Sequence, residues 1–143
     1  MKHYVMGFIF NETGDKVLLM RKNKPEWQAG RWNGIGGKIK EDEFSLEAMR
    51  RECEEETGYN RKFDHVLTFI CPGGTVFVYR SFTKAGIAFT QNEESLKEGT
   101  LDIWRIDSLP DNIMRNLSWI IPICSANDIQ FPVLMQENSL GVE

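Results

Sequence analysis

Apolar residues run almost unbroken through residues 4–10 and again through 16–20, and between them Thr13-Gly14-Asp15 supplies turn chemistry. That pattern predicts two strands joined as an opening hairpin. Residues 21–31 are polar and interrupted by Pro25 and Gly30, which predicts a surface excursion suited to face a substrate before a short segment at 32–35. The period then changes. Leu46, Met49 and Cys53 fall at offsets of three and seven, the stripe of an amphipathic helix, with Ser45 as its cap and Gly58 as its stop. Aromatic and β-branched residues dominate 63–70 and 75–82, on either side of Cys71-Pro72-Gly73-Gly74, which predicts a second hairpin, and 101–106 reads as another strand. Asn116 can cap a short helix over 117–124, to which Pro122 is a local objection; 129–135 can return as a last strand before a frayed tail from Glu137. Strands outnumber helices and have helices between them, so the expected fold is a mixed α/β or α+β sandwich.

Composition narrows the picture. A chain of 143 residues with 41% hydrophobic content can bury one core and is short for two, so 1–143 is expected to be a single domain. Lys and Arg total 17 against 21 Asp and Glu, and the net charge of −4 offers no general attraction to a nucleic-acid polymer or an anionic membrane. A polyanionic substrate must then be held locally, by a metal or a small basic patch. Cys53, Cys71 and Cys124 show neither CxxC spacing nor an even count, which favours a reducing, cytoplasmic setting. The apolar run after Lys2 and His3 is too short for a signal h-region or a membrane span. Either a monomer or a homodimer is compatible with this composition.

The helix carries the most informative residues. Offsets of three and four put Glu52, Glu55 and Glu56 on one face, where like charges repel and weaken the helix by a few tenths of a kcal/mol per pair. A glutamate run is more often a solvated face, but this one makes chemical sense around a divalent cation. Mg²⁺ takes oxygen ligands and is commonly shared between carboxylates and substrate phosphates; Mn²⁺ is a sensible substitute. With only His3 and His65, and no Cys/His ligand spacing, a dedicated zinc site is not expected. Arg51 can pair with Glu55 at i,i+4, while Gly36 and Gly37 allow the backbone to come close to metal or phosphate.

The stretch from Gly37 to Tyr59 resembles the Nudix hydrolase signature, in which Gly37, Glu43, Arg51, Glu52, Glu55, Glu56 and Gly58 all fall on fixed positions. Cys53 and Tyr59 replace two aliphatic residues of that pattern. The resemblance implies an α/β/α sandwich with a mixed β-sheet and metal-dependent hydrolysis of a diphosphate linkage in a small nucleotide. It implies Glu52, Glu55 and Glu56 as metal ligands, Glu98 as a distal ligand ahead of the strand at 101–106, Glu52 or Glu55 as the group acting on water, Arg51 as orienter of the acidic cluster and Glu43 in support.

Residues 29–38, Ala-Gly-Arg-Trp-Asn-Gly-Ile-Gly-Gly-Lys, are similar to the oxidised-purine nucleoside triphosphatase branch of the family. The implied substrate contacts are Asn33, Gly36, Gly37 and Lys38, with Asn116 and Trp119 from the segment 111–122. Arg115-Asn116 stands where that branch carries an acidic pair, so a strong preference for a base such as 8-oxo-guanine is not expected. Trp32 and Trp104 are expected in the core; Trp27 and Trp119 are the candidates to touch a base. Hydrolysis of a nucleoside triphosphate to monophosphate and pyrophosphate is the leading expectation. The alternatives are a nucleotide-sugar, ADP-ribose or dinucleoside polyphosphate hydrolase, and a nucleotide-sensing module that kept the fold without turnover.

Overall fold

The structure is a computed structural model that describes residues 2–137. The remainder of the expected frayed tail, 138–143, lies outside the described residues. β1 (Lys2–Asn11) and β2 (Lys16–Lys22) meet at the Asn11–Asp15 turn, where Gly14 adopts φ 76° and its N–H donates to Asn11 O. The hairpin is open: Phe10 pairs Val17, and β2 then departs to run antiparallel to β7 (Gly99–Arg105) along its whole length.

β1 instead forms a ten-residue parallel ladder with β6 (Gly74–Thr83), which pairs antiparallel to β5 (Asp64–Cys71), itself parallel to β8 (Val133–Gln136). β3 (Trp32–Asn33) lies beside β2, and β4 (Ile35–Lys38) beside β1. Eight strands of the described residues thus make one mixed sheet, as expected.

Alternation along the buried strands builds a core on each face. Val5 and Ile9 of β1 with Leu18 and Met20 of β2 pack on Ala48, Met49 and Cys53 of α1 (Ser45–Thr57). Phe8, Phe10, Val17 and Leu19 pack instead on Leu117, Ile120, Ile121 and Cys124 of α3 (Leu117–Ser125). Because β1 and β2 are covered on both sides, they read as continuous apolar runs. α1 comes so close to β1 that a Cβ on Gly7 would stand 2.5 Å from Met49 Cε.

Local details depart from the sequence reading. Phe44, not Ser45, is the N-cap of α1: the Glu47 carboxylate accepts from the Phe44 N–H, and Ser45 Oγ is hydrogen-bonded to Tyr79 Oη at 2.6 Å. A carboxylate three residues into the helix satisfies an orphan donor as well as a hydroxyl does. Gly58 does end the helix, at φ 79°. Asn116 stands at the N-cap position of α3 in helical backbone, and its side chain makes no cap bond. Residues 93–98, for which the pattern predicted no element, form the short helix α2 (Glu93–Glu98), capped by Asn92 accepting from Ser95 N. The segment 32–35 splits into β3 and β4, and β8 begins only after the Phe131-Pro132 cis bond. No helix of the described residues is long and apolar enough to cross a membrane.

Candidate functional site

A cleft of about 1100 Å³ opens over β1 and β4, and its wall includes Glu52, Glu55, Glu56 and Glu98, the basic residues Lys22, Lys24 and Lys38, and the amides Gln28, Asn33 and Asn116. The acidic side comes from the last two turns of α1. Glu56 continues the buried stripe of Met49 and Cys53 and is only 2% exposed. Its Oε2 accepts from the Gly36 N–H at 3.1 Å, while Oε1 is buried without a donor among the described residues. Burial pushes its carboxyl up to about 8, an effect opposed by the nearby Lys22 charge and reinforced by Glu52. Burial also raises the Glu52 carboxyl, against the pull of Arg51. Glu55 is the outermost of the three, its side chain 55% exposed.

Arg51 organises this face, though not chiefly through Glu55. Its guanidinium forks onto Glu43, with Nε to Oε2 at 2.7 Å and Nη2 to Oε1 at 2.9 Å. It also donates to Lys38 O at 3.1 Å and to Glu52 Oε1 at 3.0 Å, and reaches Glu55 only at 3.4 Å. The bidentate pair holds the Glu43 carboxyl down at about 2 and raises the guanidinium further above its ordinary value. Glu43 therefore ties the β4–α1 loop to the helix.

The glycines of β4 permit close approach. A Cβ on Gly36 would stand 2.0 Å from Val5 O, and one on Gly37 would stand 2.6 Å from Glu52 Oε1. Gly37 leaves the space in which Glu52 sits.

Lys22 is a residue the sequence reading passed over. It ends β2 on the face of Leu18 and Met20, is buried, and is the charge that opposes the upward shift of Glu56. The loop after it is tethered to α2: Asn23 N–H donates to Glu98 O, Asn23 Nδ2 donates to Leu96 O, and Lys24 Nζ pairs with Glu98 Oε1 at 3.2 Å. Glu98 thus closes α2 at the cleft rim.

On the opposite wall, Trp32 exchanges backbone bonds with Asn112 and Met114, which brings residues 112–116 alongside β3. Asn33 and Asn116 consequently share the cleft. Asn116 Oδ1 is buried with no partner among the described residues. Trp27, 69% exposed on the 3₁₀ turn Glu26–Gln28, lines the cleft; Trp119 does not, and packs at 5.4 Å on Phe69, which does. Trp32 and Trp104 meet edge to face in the core at 5.2 Å, as expected. Cys53 fills its apolar position, whereas Tyr59 is 40% exposed.

The NUDIX domain profile matches residues 1–112, most of the chain. The chain belongs to the Nudix family. Among solved structures, a NUDIX-family hydrolase from Clostridium perfringens is similar at 20% identity, with 87% of this chain and 95% of that chain covered and a TM-score of 0.70. A mutator MutT protein from Bacillus halodurans shares 26% identity over 85% and 80% of the two chains, TM-score 0.63. An ADP-ribose pyrophosphatase from Streptococcus suis shares 22% over 95% and 98%, TM-score 0.70. These likenesses carry the fold and do not choose between the activities those names state.

Nudix enzymes are hydrolases that generally bind a divalent metal, often Mg²⁺. The donor set here fits such an ion: hard carboxylate oxygens face one cleft, and the buried Glu56 Oε1 lacks any partner that a cation would otherwise supply. No three acidic, histidine or cysteine side chains of the described residues yet close on one point as a finished cage would. Glu55, loosely held by Arg51, and Glu98, held by Lys24, are the two that would have to turn inward.

Proposed function

We propose that this Nudix protein hydrolyses a nucleoside triphosphate to a nucleoside monophosphate and pyrophosphate. The observation that carries the reading is one cleft lined both by the acidic face of α1 and by amides able to pair with a base edge. Glu52, Glu55 and Glu56, with Glu98 from α2, would hold Mg²⁺ or Mn²⁺, which when bound would neutralise phosphate oxygens and polarise phosphorus for attack.

The chain's own residues divide the remaining work. Lys22, Lys24 and Lys38 supply positive charge for the polyphosphate, and Gly36 and Gly37 let it approach the backbone. Arg51 occupies Glu52 Oε1, leaving Oε2 to accept a proton from the attacking water. Glu55 is the second candidate for that role. Arg51 and Glu43 fix the helix face. Asn33 and Asn116 read the base, Trp27 covers it, and Trp119 backs the wall through Phe69. We take 1–143 as a single unit, because beyond the matched 1–112 β8 adds a strand to the sheet and α3 covers one of its faces. Three free cysteines, two of them buried, accord with a cytoplasmic setting.

The test is a panel of normal and oxidised nucleoside triphosphates, nucleotide-sugars, ADP-ribose and dinucleoside polyphosphates, with products separated. Triphosphates should give pyrophosphate, and 8-oxo-dGTP should have little advantage over dGTP, because Arg115-Asn116 lacks the paired acids that could donate and accept side by side. Asn33→Ala should lower kcat/KM for the favoured base roughly 5- to 150-fold, as a lost buried hydrogen bond does. Best turnover on ADP-ribose, release of orthophosphate, or nucleotide binding without turnover would each replace the reading.

A further inference from the structure

An amide side chain has two ends of nearly equal shape, so its polarity is set by its partners. The Gly34 N–H, a fixed donor, lies 2.8 Å from Asn33 Oδ1, which makes that end the oxygen and the other the NH2 group. The NH2 group donates at 3.0 Å to Gln28 Oε1. Gln28 is thereby oriented in turn, with its own NH2 group left over, and no described residue accepts from it. A backbone N–H has fixed the polarity of two side chains in series.

Gln28 lies in the turn that carries Trp27; it is 9% exposed and contributes to the cleft wall. The spare hydrogen-bonding groups of the pair on the nitrogen side are donors: both hydrogens of Gln28 Nε2 and the second hydrogen of Asn33 Nδ2. Asn116 has no such fixed neighbour, so its amide is free to turn toward whichever partner a ligand presents. The fixed pair discriminates and the free amide adapts.

We infer that Gln28 determines which base this cleft accepts, by locking an amide pair that presents donors to a base edge led by a carbonyl oxygen. The edge is that of a 6-oxopurine or a 4-oxopyrimidine. An amino group at the same position would meet donors, and its desolvated N–H would be left unpaired. The inference rests on the nucleotide reading above and deepens it, and binding without turnover separates the two.

Calorimetry of the Mg²⁺-loaded protein with IMP, AMP, UMP, CMP and ribose 5-phosphate reads the preference directly. Wild type should bind IMP over AMP, and UMP over CMP, by roughly tenfold or more. Gln28→Glu still accepts from Asn33 but loses the unpaired donor, so both ratios should fall to about one or invert while ribose 5-phosphate binds as before. Gln28→Met, which keeps the length without either hydrogen bond, should also bring the ratios near one and covers the case in which a carboxylate at this position prevents folding. Equal wild-type affinities within each pair, no base-dependent binding at all, unchanged ratios in the variants, or an equal loss for ribose 5-phosphate would each overturn the inference. Keto preference in a protein that hydrolyses no triphosphate would uphold Gln28 and sink the triphosphatase reading; hydrolysis without the preference would do the reverse.

Discussion

Replacing Glu56 by Gln should change how stability depends on pH in the metal-free protein. Below its ordinary value of 4.5 the Glu56 carboxyl is protonated in both the folded and the unfolded chain, and its contribution is fully present. From 4.5 to about 8 the unfolded chain releases a proton that the fold retains, so stability falls as pH rises, and above about 8 the loss levels off. At ~1.4 kcal/mol per pH unit, less what water entry recovers, the window amounts to about 2–4 kcal/mol. In a chain of this length that is a fall in Tm of roughly 5–15 °C between pH 5 and 8. Gln keeps an oxygen for the Gly36 N–H and places an amide where Oε1 has no partner, a change whose cost is independent of pH. The slope of the difference, not its offset, is therefore the signature. Thermal unfolding in EDTA from pH 5 to 8.5 should show Glu56→Gln losing clearly less stability than wild type across the window. Saturating Mg²⁺ should raise wild-type Tm more at pH 8 than at pH 6 and raise the variant little at either. Parallel Tm profiles in EDTA would refute the reasoning.

Three further outcomes follow from the same geometry. Gly37→Ala would place a Cβ 2.6 Å from Glu52 Oε1, so Mn²⁺ affinity read by electron paramagnetic resonance should fall about tenfold or more; unchanged affinity would detach Glu52 from the metal. Glu55→Gln should cut metal-saturated hydrolysis about 100-fold or more while Tm moves by only about 2 °C, because its side chain is mostly exposed and makes only a long contact with Arg51. Near-normal activity would remove Glu55 from the site. Crystals grown with Mn²⁺ and a non-hydrolysable nucleotide should show Glu98 released from Lys24 and at ligand distance, and an intact Lys24–Glu98 pair in such a complex would exclude it.

What the sequence made legible depended on periodicity. β1 and β2 showed as apolar runs because both faces are buried, and α1 showed through Leu46, Met49 and Cys53. The same arithmetic, carried one step further, reaches the charged residues that matter. Glu56 falls seven after Met49 and three after Cys53, so a carboxylate occupies a core position of the helix. Lys22 falls two after Met20 and four after Leu18, so an ammonium occupies the inward side of a strand that has run out of apolar residues. An ionisable side chain on a buried register is costly unless something compensates it, and here Lys22 lies near enough for its charge to oppose the upward shift of the Glu56 carboxyl. Taken as the end of an apolar pattern, such residues conceal this; taken as its continuation, they put both charges on the α1 side of the sheet by periodicity alone. The wall opposite has no such period. Gln28 sits in a polar turn, and Asn116 bears on the cleft through a bridge between Trp32 and Ile113; at the rim, Glu98 is likewise anchored by the Asn23 N–H from a distant segment of the chain. Those placements arise from long-range backbone pairing. The acidic helix face of the cleft is therefore a property of local pattern, whereas the amide wall and Glu98 are placed by topology, so the amide wall can change through loop residues such as Gln28 while the helix face stays as it is.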